Sequence, residues 1–321
     1  MEEMSLQERL DLVSQSYLAA PLTSEADAQD RGAQSGITME DVYEKLKEIN
    51  VTPQEKFELA TLIYNNRDVF SENPGRCNSF TAKLRFNDTK PFSKKSYPIP
   101  FSKRNLVRNE VKRLLDLGII ERSSSPYSNP LVPVIKKDQS VRLCIDAREL
   151  NARLVTDSES PELVDNLITR FDNPKYMSTL DCTASFLQIP LAEESRDATS
   201  FLFEGRNYRF CRVPFGLNVS MQLFIKATDT VFPEEMEEYL ARYVDDFKVV
   251  SSTFELHLAH LQSVFTALRR AGMTLKFSKC FFLLDEIDYL GYTLSQEGIK
   301  KNPNKVRAIS EFPTPKNVKH L

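Results

Sequence analysis

Tyr243-Val244-Asp245-Asp246 lies between two apolar runs, 238–244 and 247–251, whose residues favour β-strands. The pattern predicts a β-hairpin with this stretch at its tip and both carboxylates on one side. Adjacent aspartates also occur in turns for a purely structural reason, because Asp accepts hydrogen bonds from its own turn backbone. The stretch alone therefore leaves a structural and a catalytic role open.

A third carboxylate favours the catalytic role. Asp181 ends the strand-like run 176–180 and precedes the helix-like run 184–189. Three carboxylates from two strand ends can hold two divalent metal ions at the separation that phosphoryl displacement needs. The sequence therefore predicts a metal-dependent phosphoryl-transfer site at Asp181, Asp245 and Asp246.

The composition is that of a globular chain, with 321 residues and 41% hydrophobic content, enough for one large domain or two smaller ones. No apolar run approaches the ~20 residues that span a bilayer, and the first residues are acidic, so we expect no membrane and an intracellular setting. The five cysteines are scattered without a CxxC pair, which disfavours a disulfide framework and a zinc ribbon. His257 and His260 are expected to be ordinary helix residues.

The net charge of −3 is unevenly distributed. Residues 1–80 carry 15 acidic and 7 basic side chains, a balance of −8, so the remaining 30 acidic and 35 basic side chains give +5. Ten Lys or Arg lie between residues 83 and 113, against two acidic residues. Such a segment can be simply a solvated face, but beside a carboxylate site it suggests a track for a polyanionic backbone.

The first half of the chain is predicted to be helical and extended. Residues 1–37 read as a disordered leader, and 38–70 as two short helices opened by Thr38 and by Thr52-Pro53. Prolines at 91, 98 and 100 predict an extended crossing, after which Ser102 is expected to cap an amphipathic helix that Gly118 ends. The predicted buried sides of these helices are Phe57, Leu59, Leu62, Ile63 and Phe70, and then Leu106, Val107, Val111, Leu114 and Leu115.

Beyond residue 118 the pattern alternates between hairpins and helices. Hairpins are predicted for 131–136 with 141–146 and for 200–203 with 208–213. The predicted helices are 162–170, 220–231 and 254–271. This alternation predicts an α+β domain with a mainly antiparallel sheet covered on one face. No GxxxxGK[ST] or GxGxxG motif occurs, which excludes P-loop nucleotide hydrolases and gives no support to a dinucleotide fold.

Seven short motifs occur in the order found in one enzyme family. They are Leu117-Gly118-Ile119-Ile120-Glu121, Ser124-Ser125-Pro126-Tyr127-Ser128, Arg142-Leu143-Cys144-Ile145-Asp146-Ala147-Arg148-Glu149-Leu150-Asn151, Leu180-Asp181, Pro214-Phe215-Gly216-Leu217, Tyr243-Val244-Asp245-Asp246 and Leu290-Gly291-Tyr292. From roughly residue 70 to the end the chain resembles the reverse transcriptase of gypsy-type LTR retrotransposons, which is related to the retroviral enzymes. Each motif alone is weak, and the shared order carries the resemblance.

The resemblance implies a right-hand polymerase, an RNA-directed DNA polymerase that extends a primer with dNTPs on an RNA or DNA template. It implies a helical segment over 38–89, fingers and palm over 90–295, and the beginning of a truncated thumb over 296–321. The protease, ribonuclease H and integrase regions of a Pol polyprotein are not seen in this sequence and are possible partners. A cytoplasmic virus-like particle is the implied location.

The resemblance also implies roles for individual residues. Two Mg²⁺ ions, or Mn²⁺, would be held by Asp181, Asp245, Asp246 and the carbonyl of Cys182, with the soft sulfur of Cys182 outside the coordination shell. Leu290, Gly291 and Tyr292 would form the primer grip. The implied dNTP-binding residues are Lys136, Lys137, Arg142, Phe186, Phe215 and Lys279, with Lys276 competing for the role of Lys279.

Several of these roles have structural alternatives. Phe186 is implied to be a gate that excludes a ribose 2′ hydroxyl, but it can equally be a core residue, and Phe215 can belong to an ordinary turn. Ala147 and Ser220-Met221 depart from the family's pattern and leave the shape of the nucleotide pocket open. The competing hypothesis for the whole chain is a catalytically weak or inactive nucleic-acid-binding fragment.

Overall fold

The computed structural model describes residues 36–156, 174–243, 245–289, 292–295 and 298–301. The helices are α1 (Met39–Lys45), α2 (Pro53–Asn65), α3 (Phe101–Asp116), α4 (Arg148–Asn151), α5 (Glu193–Arg196), α6 (Ser220–Val231) and α7 (Phe254–Ala271). Short 3₁₀ turns occupy Arg67–Val69, Ser185–Gln188, Asp197–Thr199, Glu234–Glu238 and Phe277–Lys279. The predicted leader up to residue 35, the helix 162–170 and the predicted start of the thumb over 296–321, apart from residues 298–301, lie outside the described residues.

The strands are β1 (Ile120–Arg122), β2 (Leu131–Ile135), β3 (Val141–Ile145), β4 (Tyr176–Asp181), β5 (Phe201–Phe203), β6 (Arg206–Phe210), β7 (Leu240–Tyr243), β8 (Asp246–Ser251), β9 (Phe281–Leu284), β10 (Glu286–Tyr289), β11 (Tyr292–Ser295) and β12 (Gly298–Lys301). They pair in the orders β1-β6-β5, β2-β3, β7-β8-β4-β9 and β10-β11-β12, and every one of these pairs is antiparallel. None of the helices among the described residues is long and apolar enough to cross a membrane.

Helices α1 and α2 begin where the sequence predicts. Thr38 and Thr52 each accept a hydrogen bond from the backbone three residues on, and the acidic residue there bonds back, so that both ends form capping boxes. Leu59 and Ile63 are buried as predicted, but Phe57 is 54% exposed and its predicted burial is wrong. Phe57 and Leu59 are two positions apart, about half a turn, which places them on opposite faces of α2.

Helix α3 begins two residues earlier than predicted. Pro100 occupies the N-cap position with φ −53°, and Phe101 is the first helical residue. Ser102 therefore lies inside the first turn, where no side-chain capping hydrogen bond forms, and its predicted capping role is wrong. The apolar side is as predicted, with Leu106 and Leu115 half-buried and Val107, Val111 and Leu114 buried.

The four-stranded sheet β7-β8-β4-β9 carries the hairpin predicted around residue 244. Helix α7 packs against β8 and β4 and covers one face of this sheet. On the opposite face Met177, Ala241 and Val250 form a second small cluster with Ile287 and Leu294 of the β10-β11-β12 sheet. Both faces of the sheet are thus buried over part of their area, which fixes its strand register.

The two remaining sheets pack on α3, which contacts β3 and β1. The β2–β3 hairpin has the predicted position, with β2 ending at Ile135 and β3 starting at Val141. The β5–β6 turn is shorter than the predicted 204–207, because Glu204 and Gly205 alone connect the strands. Both residues have positive φ, 47° and 74°, which is the backbone of the tight two-residue hairpin turn whose twist matches its strands.

A buried histidine network ties α7 to the four-stranded sheet. His257 is fully buried, with Nε2 2.7 Å from Ser178 Oγ and Nδ1 2.9 Å from Ser251 Oγ. Ser251 Oγ also lies 2.8 Å from His260 Nδ1. Burial lowers the pKa of His257 to about 3 and that of His260 to about 4. Both imidazoles are therefore neutral in the folded protein at neutral pH.

This network predicts a loss of stability in mild acid. The unfolded chain protonates histidine near pH 6.5, whereas the folded chain resists protonation to about pH 3 or 4. Between these values the unfolded state binds more protons, so the free energy of unfolding should fall by up to ~1.4 kcal/mol per pH unit for each histidine. Urea unfolding between pH 7.5 and 5 measures the slope. His257→Asn should flatten it, and an unchanged slope in that variant would contradict the assignment.

Candidate active site

Three carboxylates meet at one edge of the four-stranded sheet. Asp181 is the last residue of β4 and Asp246 the first of β8, and the two are direct cross-strand partners. Asp245 lies in the turn before β8, and its carbonyl accepts a hydrogen bond of 3.0 Å from the Cys182 backbone nitrogen. The hairpin thus brings together the three predicted aspartates from positions more than 60 residues apart in sequence.

Two lysines pair with these carboxylates. Lys279 Nζ lies 3.1 and 3.3 Å from the two carboxylate oxygens of Asp181, and Lys248 Nζ lies 2.7 Å from Asp246 Oδ2. Lys276, the competing candidate, pairs instead with Glu72 at 3.0 Å. Burial raises the pKa of Asp181 against the opposing effect of Lys279, and the charges of the two neighbouring aspartates add to the increase.

Lys248 was not identified from the sequence as a site residue, although the sequence around it indicates a buried charge. It interrupts the apolar strand Phe247-Lys248-Val249-Val250, and its side chain is only 7% exposed. Alternation along β8 puts Lys248 on the same face as Asp246, two residues away, so that its ammonium group reaches back to the carboxylate. A lysine in an otherwise apolar strand of this kind indicates a buried ion pair.

The pair predicts unequal effects of removing its two partners. Asp246→Asn leaves the buried Lys248 ammonium without its counter-charge, so we expect the free energy of unfolding to fall by ~1–3 kcal/mol. Lys248→Met removes the buried charge and leaves a half-exposed aspartate, so the expected change is below ~1 kcal/mol. Urea unfolding of both variants and the double variant measures the difference. A larger loss in Lys248→Met would overturn this description of the pair.

The carboxylates open onto a cleft of about 510 Å³ between the four-stranded sheet and the β2–β3 hairpin. Asp181 and Asp245 line one side, and Lys136 and Arg142 the other. The Arg142 guanidinium lies 4.6 Å above the ring of Phe215, a cation–π contact that positions it at the cleft. The predicted residues that line the cleft are Lys136, Arg142, Phe215, Lys279, Asp181, Asp245 and Cys182, whereas Lys137, Phe186 and Asp246 do not.

The position of Phe215 depends on a close backbone contact with Ile145. This contact is possible only because the next residue is Gly216, which has no side chain. The Phe215 carbonyl accepts a hydrogen bond of 3.2 Å from the Ile145 nitrogen. Gly216 has φ +115°, and a Cβ there would overlap the Ile145 carbonyl oxygen. Asn151, quoted above only as part of a motif, donates to the Gly216 carbonyl at 3.0 Å and accepts from the Asn218 nitrogen at 3.0 Å. Asn151 is thus a supporting residue that sequence reasoning did not single out.

Phe186 lies beside the cleft in a different backbone setting from the one predicted. The segment expected to be a helix over 184–189 is a 3₁₀ turn over Ser185–Gln188, preceded by Ala184 at φ +45°. The half-buried ring of Phe186 packs on Phe215 and Phe224, at centroid distances of 5.6 and 6.1 Å. Through Phe215 it contacts the cleft wall, and through Phe224 the core.

The described residues include only part of the predicted primer-binding motif. Tyr292 begins β11 and pairs with Tyr289 and Lys301, while Leu290 and Gly291 lie outside the described residues. Among the described residues no group of three His, Cys, Asp or Glu side chains is arranged as a ready metal cage, and two of the aspartates are paired with lysines.

The donor chemistry of the aspartate edge fits a hard cation. Carboxylate oxygens are the ligands that Mg²⁺ prefers, and three converge at this edge. Burial and the neighbouring carboxylates hold the thiol pKa of Cys182 well above its usual value, so its sulfur stays protonated and is a poor ligand.

Comparison with known proteins gives three consistent findings. A family model described as reverse transcriptase (RNA-dependent DNA polymerase) matches residues 134–294. The chain is 36% identical over 241 residues to the retrovirus-related Pol polyprotein from transposon gypsy of Drosophila melanogaster, and 34% identical over 245 residues to that from transposon opus of the same organism. These alignments cover 73% and 75% of this chain but only 23% and 24% of the relatives.

A solved structure shares the fold. The foamy viral protease-reverse transcriptase in complex with double-stranded DNA superposes with a TM-score of 0.77 at 23% identity, over 94% of this chain and 52% of that one. At this identity the likeness establishes the right-hand polymerase fold.

Proposed function

Because the chain belongs to the reverse transcriptase (RNA-dependent DNA polymerase) family, we propose that it catalyses addition of deoxynucleotides to a primer on a nucleic-acid template. The curated relatives are Pol polyproteins about four times as long as the matched part, so the proposal concerns this polymerase portion. The observation that carries it is the in-register pair Asp181–Asp246, with Asp245 beside it, opposite Lys136 and Arg142 across one cleft.

The chain's residues divide into two groups by charge. Asp181, Asp245 and Asp246, with the Cys182 carbonyl, would hold divalent metal, which when bound stabilises charge on the transferring phosphoryl group and lowers the pKa of the attacking hydroxyl. Lys136 and Arg142 would bind the negative triphosphate from the opposite wall. Lys279, which lies 3.1 Å from Asp181 and lines the cleft, would act as the proton donor to pyrophosphate.

The neighbouring groups would shape the substrate sites. Phe186 and Phe215 would border the sugar of the incoming nucleotide, and Tyr292, with Leu290 and Gly291, would hold the primer end. Lys137, at the exposed hairpin turn but outside the cleft lining, would contribute charge only after the hairpin closes.

Primer extension on an RNA template by the purified chain, with Mg²⁺ and dNTPs, tests the proposal directly. The primer is expected to be extended to the end of the template. Binding of primer–template without any extension, in Mg²⁺ and in Mn²⁺, would overturn it in favour of a nucleic-acid-binding fragment without turnover. Repeating the assay on a DNA template of the same sequence measures the template preference.

The basic segment 83–113 predicts a steep salt dependence of nucleic-acid binding. If its lysines and arginines contact backbone phosphates, log K should fall against log[salt] with a slope of ~0.9 per phosphate contacted on a duplex. The acidic segment 1–80 should contribute little to this slope. Deleting it would also remove the packing contacts of α2, so charge reversal of one acidic residue in α1 is the better control. Glu40→Lys should leave the slope unchanged, whereas Arg104→Glu should reduce it. A flat salt dependence in the parental chain would argue against a nucleic-acid partner.

A further inference from the structure

A second cavity, of about 340 Å³, lies away from the aspartates where segment 74–78 crosses the end of α7. Its volume is at the lower end of the range for small-ligand sites. Its charged lining residues are Asp68, Arg76, Arg212 and Arg269. Arg269 and Asp68 neutralise each other in a bidentate pair with two contacts of 2.6 Å. The remaining two arginines leave the cavity with a net positive charge.

Arg212 is an unusual buried cation. It is 8% exposed, and among the described residues its hydrogen-bond acceptors are two backbone carbonyls, of Gly75 and of Leu187 at 3.0 Å, both through Nη1. No described carboxylate forms an ion pair with its guanidinium, and its Nε and Nη2 groups donate to no described residue and remain accessible to solvent. A largely buried cation without a carboxylate partner, with donors still accessible, is suited to bind an anion.

Arg76 adds a second positive charge to the lining of the cavity. It is exposed, and no described carboxylate pairs with it. Arg76 and Arg212 line the same cavity. Burial lowers the pKa of Arg212 to about 10 and the positive charge of Arg76 adds to the effect, so Arg212 remains charged at neutral pH. Each planar guanidinium presents parallel N–H donors that match the oxygens of a phosphate group.

The backbone around the cavity is fixed. Arg76 N donates to Gly272 O at 2.8 Å, and Gly75 N to Thr274 Oγ1 at 2.8 Å. A Cβ at either Gly75 or Gly272 would collide with backbone of the opposite segment, so neither position has room for a side chain. The backbone that carries Arg76 is therefore closely packed, which limits the entropy lost on binding.

We propose that Arg76 and Arg212 form an anion site for a phosphate group, separate from the polymerase cleft. The group could be free, as inorganic phosphate or pyrophosphate, or part of a nucleic-acid backbone, and the chemistry of recognition is the same in both cases. No described residue lines both cavities, although Asn73 of the polymerase cleft directly precedes Pro74 of this one.

Calorimetric titration with pyrophosphate in metal-free buffer at constant ionic strength tests the site. Arg76→Gln should weaken binding by at least ~10-fold, because it removes one of the two guanidinium groups. Arg206→Gln, at the start of β6 and in the lining of neither cavity, is the matched control and should bind as the parental chain does. Arg142→Gln measures any pyrophosphate bound in the polymerase cleft and should not remove the binding that Arg76→Gln loses. Arg76 is exposed, so its replacement should not affect folding.

Equal pyrophosphate affinity in Arg76→Gln and the parental chain would overturn the proposal, as would loss of binding in Arg142→Gln alone. Arg212→Gln provides a second test where it folds, and is expected to lose binding too. A 5′-phosphorylated oligonucleotide titrated into the same variants distinguishes the sources. If Arg76→Gln weakens the binding of both ligands, the site also accepts backbone phosphate. If it weakens the binding of pyrophosphate alone, the site is specific for the free ion.

Discussion

Asp181→Asn and Asp245→Asn are each expected to lower the rate of primer extension by at least roughly three orders of magnitude, about 4 kcal/mol of activation free energy. Either change removes a negative charge from the edge where metal would bind and leaves the side-chain shape almost unchanged. Single-turnover extension measures the effect. Asp246→Asn should also be damaging, but part of its effect would come from the loss of the Lys248 pair.

Asp181→Asn should not lower the stability of the fold. Burial raises the pKa of Asp181, which means that the folded state disfavours its charged form, so a neutral asparagine removes a source of instability. An unchanged or increased unfolding midpoint with lost activity is the expected combination, as for functional groups that are kept at the expense of stability. Asp116→Asn, at the exposed end of α3, is the control that should change neither property. Near-parental extension by Asp181→Asn would refute the metal-site proposal.

Phe186→Val is expected to change the choice between sugars. If the ring blocks a 2′ hydroxyl, the ratio of kcat/KM for ribonucleotides to that for deoxynucleotides should rise by on the order of 10². The lost packing on Phe215 and Phe224 should also cost about 1–3 kcal/mol of stability. The two effects are separable, because less folded protein lowers both rates equally and leaves their ratio unchanged.

Phe224→Leu is the matched control for the gate. Phe224 packs on the other side of Phe186 and is fully buried in α6, so its replacement loosens the same aromatic cluster without opening the cleft. It should reduce stability and leave the sugar ratio unchanged. If Phe186→Val behaved in the same way, with incorporation of both sugars falling together, Phe186 would be a core residue only.

Local sequence patterns predicted the elements that local interactions determine. The hairpin at residue 244, the capping threonines and the long helix α7 follow from alternation, cap chemistry and apolar periodicity, and each is present. Asp181 was assigned to the same site because a strand end and a hairpin tip of one antiparallel sheet meet at its edge. In short segments composition does not distinguish a helix from a 3₁₀ turn. The run 184–189, predicted to be helical, is a 3₁₀ turn over Ser185–Gln188.

Contacts between distant segments were beyond that kind of reasoning. Lys248 and Asp246 are two residues apart and alternation places them on one face of β8, but the burial of that face depends on packing against β10 and β11. The Arg212 environment depends on a carbonyl of residue 75, 137 residues away in the chain. No periodicity or spacing within the sequence encodes such a meeting, because it arises only when the two segments dock.

The distance in sequence between docking partners has a consequence for how the chain folds as it is made. Asp68 pairs with Arg269, 201 residues later, Asn66 bonds Gln262 across 196 residues, and Lys45 bonds the carbonyl of Ser278 across 233. A ribosome adding ~5–20 residues per second needs roughly 10–40 s to supply the second partner. During that interval α2 can pack against α1 but lacks α7, so the apolar surface that α7 covers in the folded chain is exposed and available to chaperones.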